Sequence, residues 1–276
     1  MAIAAVGQIC STSSMMDNLL QCQNLVQKAA SAGAKAIFFP EASDYIASSA
    51  AESVSLARSL EESDFVQGLQ RSASENKIHI NVGVHAPAEG GIRVKNLLLW
   101  IDDNGKITEQ YQKLHLFDVE IKDGPVLRES HSVEKGDSIL PPFDTVLGRV
   151  GLAICFDLRF PEISVALRRR NADIITFPSA FTIPTGKAHW EVLLRARAIE
   201  TQSYVVAAAQ VGQHNEKRVS YGHSMIISPW GSVLAELGGD WNGGPELATA
   251  EIDLSSIEKI RKEMPLLRRT DVYPEI

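Results

Sequence analysis

Short apolar runs alternate with segments of helical period from one end of the chain to the other. Ile3–Ile9 reads as a buried strand. Asp17 or Asn18 then offers an N-cap to a helix carrying Leu19, Leu20, Leu25, Val26 and Ala29, which stops near Gly33. Ala36–Phe39 follows as a strand ending at Pro40, and a polar helix rich in Ser and Glu is expected over roughly 50–75. His79–His85 and Lys95–Ile101 have the β-branched and aliphatic content of strands. Asn104-Gly105 signals a hairpin returning into Lys106–Lys113. Residues 114–142, with Asp123-Gly124-Pro125 and Pro141-Pro142, read as a long functional loop.

Beyond that loop the alternation resumes. Arg149–Phe156 is strand-like, Pro161 suits the first turn of a helix, and His189–Gln202 carries an apolar helical face. Tyr204–Val211, Gly222–Ser228, Ser232–Leu237 and Leu247–Ile252 are further strand candidates. Ser255 is the expected cap of a last helix ending before Pro265. The segments 33–42 and 171–180 echo each other, each an apolar strand with Pro at its carboxyl end. Two βαβ units meeting by chance and an internal duplication both fit that echo. No Gly/Ser linker divides the chain, so one α/β domain over 1–276 is expected.

Composition removes several classes of function. With 45% hydrophobic residues the chain can bury a large core, and a net charge of −7 disfavours sequence-independent binding to nucleic acid or anionic membrane. Three cysteines, Cys10, Cys22 and Cys155, are too sparse for a disulfide framework, and the histidines lack zinc-ligand spacing. The first residues lack a basic n-region, and the apolar run at 204–209 is far short of a membrane span. The expectation is a cytoplasmic protein, with a mitochondrial form from an alternative start left open.

Chemistry concentrates at three strand ends. Cys155 closes an apolar strand just before a polar turn and a helix start. There a thiol can sit on a sharp elbow while the next N–H, that of Phe156, faces a developing oxyanion. The competing reading is a core cysteine. Glu41 after Pro40 ends an apolar strand, where a charge is costly unless exposed or paired, and Lys113 before Leu114 ends the hairpin strand Lys106–Lys113. Each alone also fits a surface charge; together they supply a thiol, a proton acceptor and a cation.

Phe39-Pro40-Glu41, Tyr111–Asp118 and Cys155–Glu162 resemble, in order and spacing, the three signatures of the nitrilase (carbon–nitrogen hydrolase) superfamily. The resemblance runs from Ala4 to about Asp271. Ser179–Thr182, Ala188–Gln202 and Tyr221–Ser224 resemble its Nit branch, which includes ω-amidase and deaminated-glutathione amidase, and Ala207–Arg218 is closest to the latter. The resemblance implies a four-layer α-β-β-α sandwich, a homodimer, and hydrolysis without metal or cofactor. It implies Cys155 as nucleophile, Glu41 as general base and acid, Lys113 with the Phe156 N–H as oxyanion site, and Glu129 as support for Lys113. A catalytically silent scaffold keeping the same fold is the alternative from another class.

The implied substrate is a small amide with an α-keto acid end, so a cation is needed for its carboxylate. Arg159 is the first candidate, with Phe181 and Thr182 beside it; an ion pair with Glu162 is the competing reading. For a second carboxylate, as in deaminated glutathione, the available cations are His214, Lys217 and Arg218.

Overall fold

The computed structural model describes residues 1–120 and 126–274, so Asp123-Gly124-Pro125 lies outside the described residues. The first half of the chain runs β1 (Ala2–Gln8), α1 (Met15–Ser31), β2 (Ala34–Phe38), α2 (Ala50–Leu56), α3 (Asp64–Asn76), β3 (His79–Pro87), β4 (Val94–Ile101) and β5 (Ile107–Gln112). A connecting segment holds the short strands β6 (Asp118–Glu120), β7 (Val126–Arg128) and β8 (Val133–Glu134), with one 3₁₀ turn at Glu129–His131. The second half runs β9 (Phe143–Thr145), β10 (Gly148–Leu152), α4 (Pro161–Arg169), β11 (Ile174–Thr176), α5 (Ile183–Thr201) and β12 (Tyr204–Ala207). It continues through a hairpin of β13 (Val211–Asn215) and β14 (Arg218–Tyr221) to β15 (Met225–Ile227) and β16 (Val233–Glu236). The chain then returns as β17 (Glu246–Ile252) and α6 (Leu254–Glu263).

The two halves share one topology. One sheet has the order β17-β1-β2-β3-β4-β5, the other β16-β15-β12-β11-β10-β9. In each, three parallel strands are followed by two antiparallel ones: β1, β2, β3, then β4 and β5; β10, β11, β12, then β15 and β16. An antiparallel strand flanks the first of each set, β17 on β1 and β9 on β10. The echo between 33–42 and 171–180 therefore marks a repeated unit.

Burial assigns the layers. Leu19, Cys22, Leu25 and Val26 of α1 and Phe65, Val66 and Leu69 of α3 pack on one face of the first sheet with Ala5, Ile37, Ile80 and Leu97. Its other face, through Val6, Phe38, Leu98 and Trp100, packs against Val150, Ile175, Val206 and Ile226 of the second sheet. Trp190, Leu194 and Ala198 of α5 and Ile163 and Leu167 of α4 complete the same core. This is the expected α-β-β-α sandwich, α1, α3, α4 and α5 each burying one stripe and each sheet both faces.

Several element ends differ from the sequence-based reading, each for a local reason. The cap of α1 is Ser14, whose side chain accepts from the Asp17 N–H, so Asp17 lies in the first turn. Asn18 is buried and bonds Thr12 and the Asp44 carbonyl instead. The polar helix over 50–75 is two helices, because Arg58 satisfies the carbonyls ending α2 and Ser63 caps α3 anew. β10 stops at Leu152, since Cys155 must reverse the chain. α5 begins at Ile183, with Pro184 in its first turn. The run 204–211 crosses between sheets, through single bridges from Ala209 to Ser179 and from Gln210 to Ile9. Asp253, not Ser255, caps α6. Among the described residues no helix is long and apolar enough to cross a membrane.

Candidate active site

The parallel strands deliver their following loops to one edge, where α/β sheets place their sites. Glu41 lies three residues past β2, Lys113 directly follows β5, and Cys155 lies three residues past β10. All three are buried: Glu41 is 4%, Lys113 1% and Cys155 8% exposed. Buried charges at these positions require partners, which the structure supplies.

Lys113 is the hub. Its Nζ donates to Glu41 Oε1 (2.8 Å) and to both Glu129 oxygens (3.0 and 2.9 Å). Asn96 Nδ2 donates to the same two carboxylates, at 2.8 Å to Glu41 and 3.3 Å to Glu129. The Phe117 N–H holds the far oxygen of Glu129. Glu41 Oε2 accepts from the Ala180 N–H at 3.1 Å, so the carboxyl ends of the two repeated units meet across the site. The buried Cys155 thiol lies close enough to Glu41 and Lys113 for both charges to act on its sulfur.

This packing sets the protonation states. Burial would raise the Glu41 carboxyl, but the Lys113 ammonium and bonds from Lys113 and Cys155 outweigh it and hold it at about 2. Burial opposes the charge on Lys113, yet Glu129 and Glu41 raise its pKa well above normal. Burial, followed by the Glu41 carboxylate, pushes the Cys155 thiol up. At rest the site therefore holds a thiol beside a carboxylate that can take its proton, with an ammonium next to both.

Cys155 sits at φ +45°, and its neighbour across the site, Ala42, at φ +56°. Both are non-glycine residues in the left-handed region, a strain that structure around them must enforce. At Ala42 the enforcement comes from β3. Gly83 N donates to the Pro40 carbonyl and the Gly83 carbonyl accepts from Ser43 N. A Cβ on Gly83 would lie 2.6 Å from the Glu41 Cα, so only glycine allows that approach. Gln210 clamps the same loop, donating to the carbonyls of Glu41 and Ala42.

At Cys155 the enforcement comes from Asp157, which is fully buried. Its Oδ2 accepts from Tyr111 Oη (2.7 Å) and the Ile154 N–H (2.9 Å), and its Oδ1 from the His115 N–H (3.0 Å) and His115 Nδ1 (2.7 Å). The elbow is thus bolted to the segment that carries Lys113. Each oxygen faces a backbone N–H, so an amide in either orientation would turn its NH₂ against one of them. We expect Asp157→Asn to lose about 1–3 kcal/mol of stability in urea titrations. Turnover should fall more than tenfold, with unchanged stability the disconfirming result.

The remaining sequence candidates fall around this centre. The Phe156 N–H belongs to the first turn of the 3₁₀ segment Cys155–Arg159, where donors lack intrahelical acceptors. The Arg159 guanidinium lies 5.7 Å from the Phe156 ring centroid and 5.5 Å from that of Phe181, with His189 Nδ1 3.3 Å from Nη1. Glu162 instead lines a separate cavity of about 500 Å³ with Leu114, His115 and Ile163. Thr182 and Phe181 use their carbonyls within the fold, accepting from Gly186 N and Tyr221 N. What Phe181 offers Arg159 is its ring.

His214 is not available to an incoming anion. It is buried, with Nδ1 against the Ser11 carbonyl (2.8 Å) and Nε2 against Ser220 Oγ (2.7 Å). Burial, reinforced by Arg218, lowers its pKa from 6.5 to about 4. The unfolded chain therefore takes up the proton first, and stability falls as pH drops from about 6.5 to 4. The shift is worth about 3 kcal/mol. His214→Gln should flatten thermal unfolding midpoints across that window; an unchanged slope would show that other groups govern it.

Asn96, Asp157, Tyr111, Gly83 and Gln210 were not picked out as site residues from the sequence. Asn96 did carry a signal, a polar residue inside the buried run Val94–Ile101, where an unpartnered amide is costly. Among the described residues no cluster of His, Cys, Asp and Glu is arranged to hold a metal ion.

A duplicated α-β-β-α sandwich with this buried centre is the nitrilase fold. The crystal structure of the C. elegans NitFhit protein superimposes with a TM-score of 0.91 at 40% identity, covering 99% of this chain and 67% of that one. Saccharomyces cerevisiae Nit3, a member of branch 10 of the nitrilase superfamily, superimposes at 0.85 with 28% identity, covering 97% and 96%. Residues 3–262 match the carbon–nitrogen hydrolase family model; the chain belongs to that family and is a hydrolase of amide carbon–nitrogen bonds. It is 50% identical to "Probable hydrolase nit2" of Schizosaccharomyces pombe over the whole of both chains. It is 43% identical to the deaminated glutathione amidase of Mus musculus over 98% of this chain and 84% of that one.

Proposed function

We propose that this protein hydrolyses the amide of deaminated glutathione, the α-keto analogue, to 2-oxoglutarate and cysteinylglycine. The observation that carries the chemistry is the burial of Cys155 with the bonded pair Lys113–Glu41, whose charges both act on its sulfur. The Cys155 proton passes to the Glu41 carboxylate as sulfur attacks the amide carbon. The resulting oxyanion is held by the Lys113 ammonium and the Phe156 N–H. Collapse breaks the C–N bond while Glu41 returns its proton to the departing amine, leaving a thioester on Cys155. Water then surrenders a proton to Glu41 and attacks that thioester. Collapse expels the sulfur, which regains its proton from Glu41, and frees 2-oxoglutarate. Glu129 and Asn96 hold Lys113 and Glu41 in register, so they act as positioning residues.

Arg159, cushioned by Phe156 and Phe181, meets the α-keto acid carboxylate. The 43% identity to the mouse deaminated glutathione amidase supports this substrate over other amides. A cytoplasmic homodimer is part of the proposal; light scattering should give about twice the chain mass of 30.2 kDa. The test of substrate is direct: purified protein is mixed with deaminated glutathione or, separately, 2-oxoglutaramate at equal concentration. We expect faster release of 2-oxoglutarate from the former. Clear preference for 2-oxoglutaramate would reassign the protein as an ω-amidase.

A further inference from the structure

The β13–β14 hairpin is fastened to the site at several points. Tyr221 N donates to the Phe181 carbonyl (2.9 Å), and Thr182 bridges Ser220. At its root Gln210 holds the Glu41 and Ala42 carbonyls; near its tip Asn215 Nδ2 reaches the Ala47 carbonyl. Buried His214 pins the hairpin to Ser11 through one ring nitrogen and to Ser220 through the other. The hairpin is therefore a fixed wall beside the Glu41 loop.

Arg218 opens β14, two residues before Ser220, and strand alternation puts both on the face that looks toward Ser11 and the Glu41 loop. Its guanidinium is exposed and makes no hydrogen bond or ion pair among the described residues. Its charge nevertheless acts on the Glu41 carboxylate, whereas the charge of Arg159 acts on the Cys155 sulfur. Reaction chemistry sorts the substrate the same way. The acyl half stays on sulfur, and the amine half departs from the side of the acid that protonates it.

We propose that Arg218 is the recognition residue for an anionic group on the leaving amine, so that the site selects amides whose amine half ends in a carboxylate. With Arg159 at the keto acid end, a dianion would be gripped at both ends with the scissile bond over Cys155 and Glu41. This inference rests on the substrate reading above, but it can fail or stand separately. Lys217, exposed in the turn with its N–H donating to the Asn215 side-chain oxygen, supplies a control of equal charge on the same hairpin.

The probes are deaminated glutathione and its glycine carboxamide, which differ only in the far charge. Binding of each to Cys155→Ala protein is measured by calorimetry, so the answer does not require turnover. We expect the carboxylate to bind about tenfold tighter. Adding Arg218→Met should erase that preference, Arg218→Lys should restore part of it, and Lys217→Met should leave it within twofold. In wild type, Arg218→Met should raise KM for deaminated glutathione about tenfold more than it raises KM for 2-oxoglutaramate, which has no far carboxylate, while any change in kcat through the Glu41 carboxylate is shared by both substrates. Equal affinity for the two probes, or a preference that survives Arg218→Met, overturns the proposal. If neither probe is hydrolysed by wild type yet the Arg218-dependent preference persists, the substrate reading falls and the anion subsite stands.

Discussion

Cys155→Ala is expected to abolish amide turnover, with a loss of roughly 10⁴-fold or more, while the protein stays folded. Alanine meets the same left-handed strain as cysteine at φ +45° and fills nearly the same buried space, so the unfolding midpoint should barely move. Quenched wild type in the presence of substrate should carry a 2-oxoglutaryl adduct by intact mass, absent from the variant. A Cys155→Ala protein retaining a tenth of wild-type rate would place the nucleophile elsewhere. The companion variant Cys155→Gly should be equally inactive yet at least as stable as wild type, because glycine adopts that backbone conformation freely. Strain at the nucleophile would then be a cost to stability tolerated for function.

Lys113→Met should have the second-largest effect, and it should act on folding as well as on rate. Removing the ammonium leaves Glu41 and Glu129 facing each other with only the neutral Asn96 amide shared between them. Breaking a buried ion pair from one side costs about 3–5 kcal/mol. The pH dependence gives the sharper test. In wild type the Glu41 carboxyl sits at about 2, below its ordinary 4.5, so its contribution is present above about 4.5 and lost as pH falls toward 2. Without Lys113, burial is unopposed and raises that carboxyl. The folded state then favours the protonated acid, and stability is lost as pH rises. Urea titrations should therefore show the deficit of Lys113→Met shrinking on going from pH 8 to pH 5. A deficit independent of pH would mean that the two carboxylates escape to solvent in the variant.

The three residues gathered at the candidate site stand out in the sequence because they lie at strand ends inside short, ordered motifs. Glu41 after Pro40 breaks a hydrophobic pattern with a charge that needs a reason, Cys155 ends an apolar run at a polar turn, and Lys113 ends the hairpin strand. The echo between 33–42 and 171–180 was visible too. Its meaning was not, because the same text suits two unrelated βαβ units. Only the matching strand orders of the two sheets, and the Ala180 N–H on Glu41, distinguish a repeat whose ends build the site together.

Local periodicity determined the alternation of strands and helices, the α/β class and the buried faces of α1 and α5, since these depend on neighbours a few residues apart. It did not determine where helices are cut and capped. Ser14 displaced Asp17 as a cap, and Arg58 ended α2, because tertiary packing chose which polar groups were free to serve. Nor could it place Asp157, whose four donors come from residues 111, 115 and 154, or bury His214, a charged-loop candidate by composition alone. A side chain's protonation and partners are set by what surrounds it in space. For Cys155, Glu41 and Lys113 those surroundings come from both halves of the chain, so residue types were decided by sequence and their chemistry by the fold.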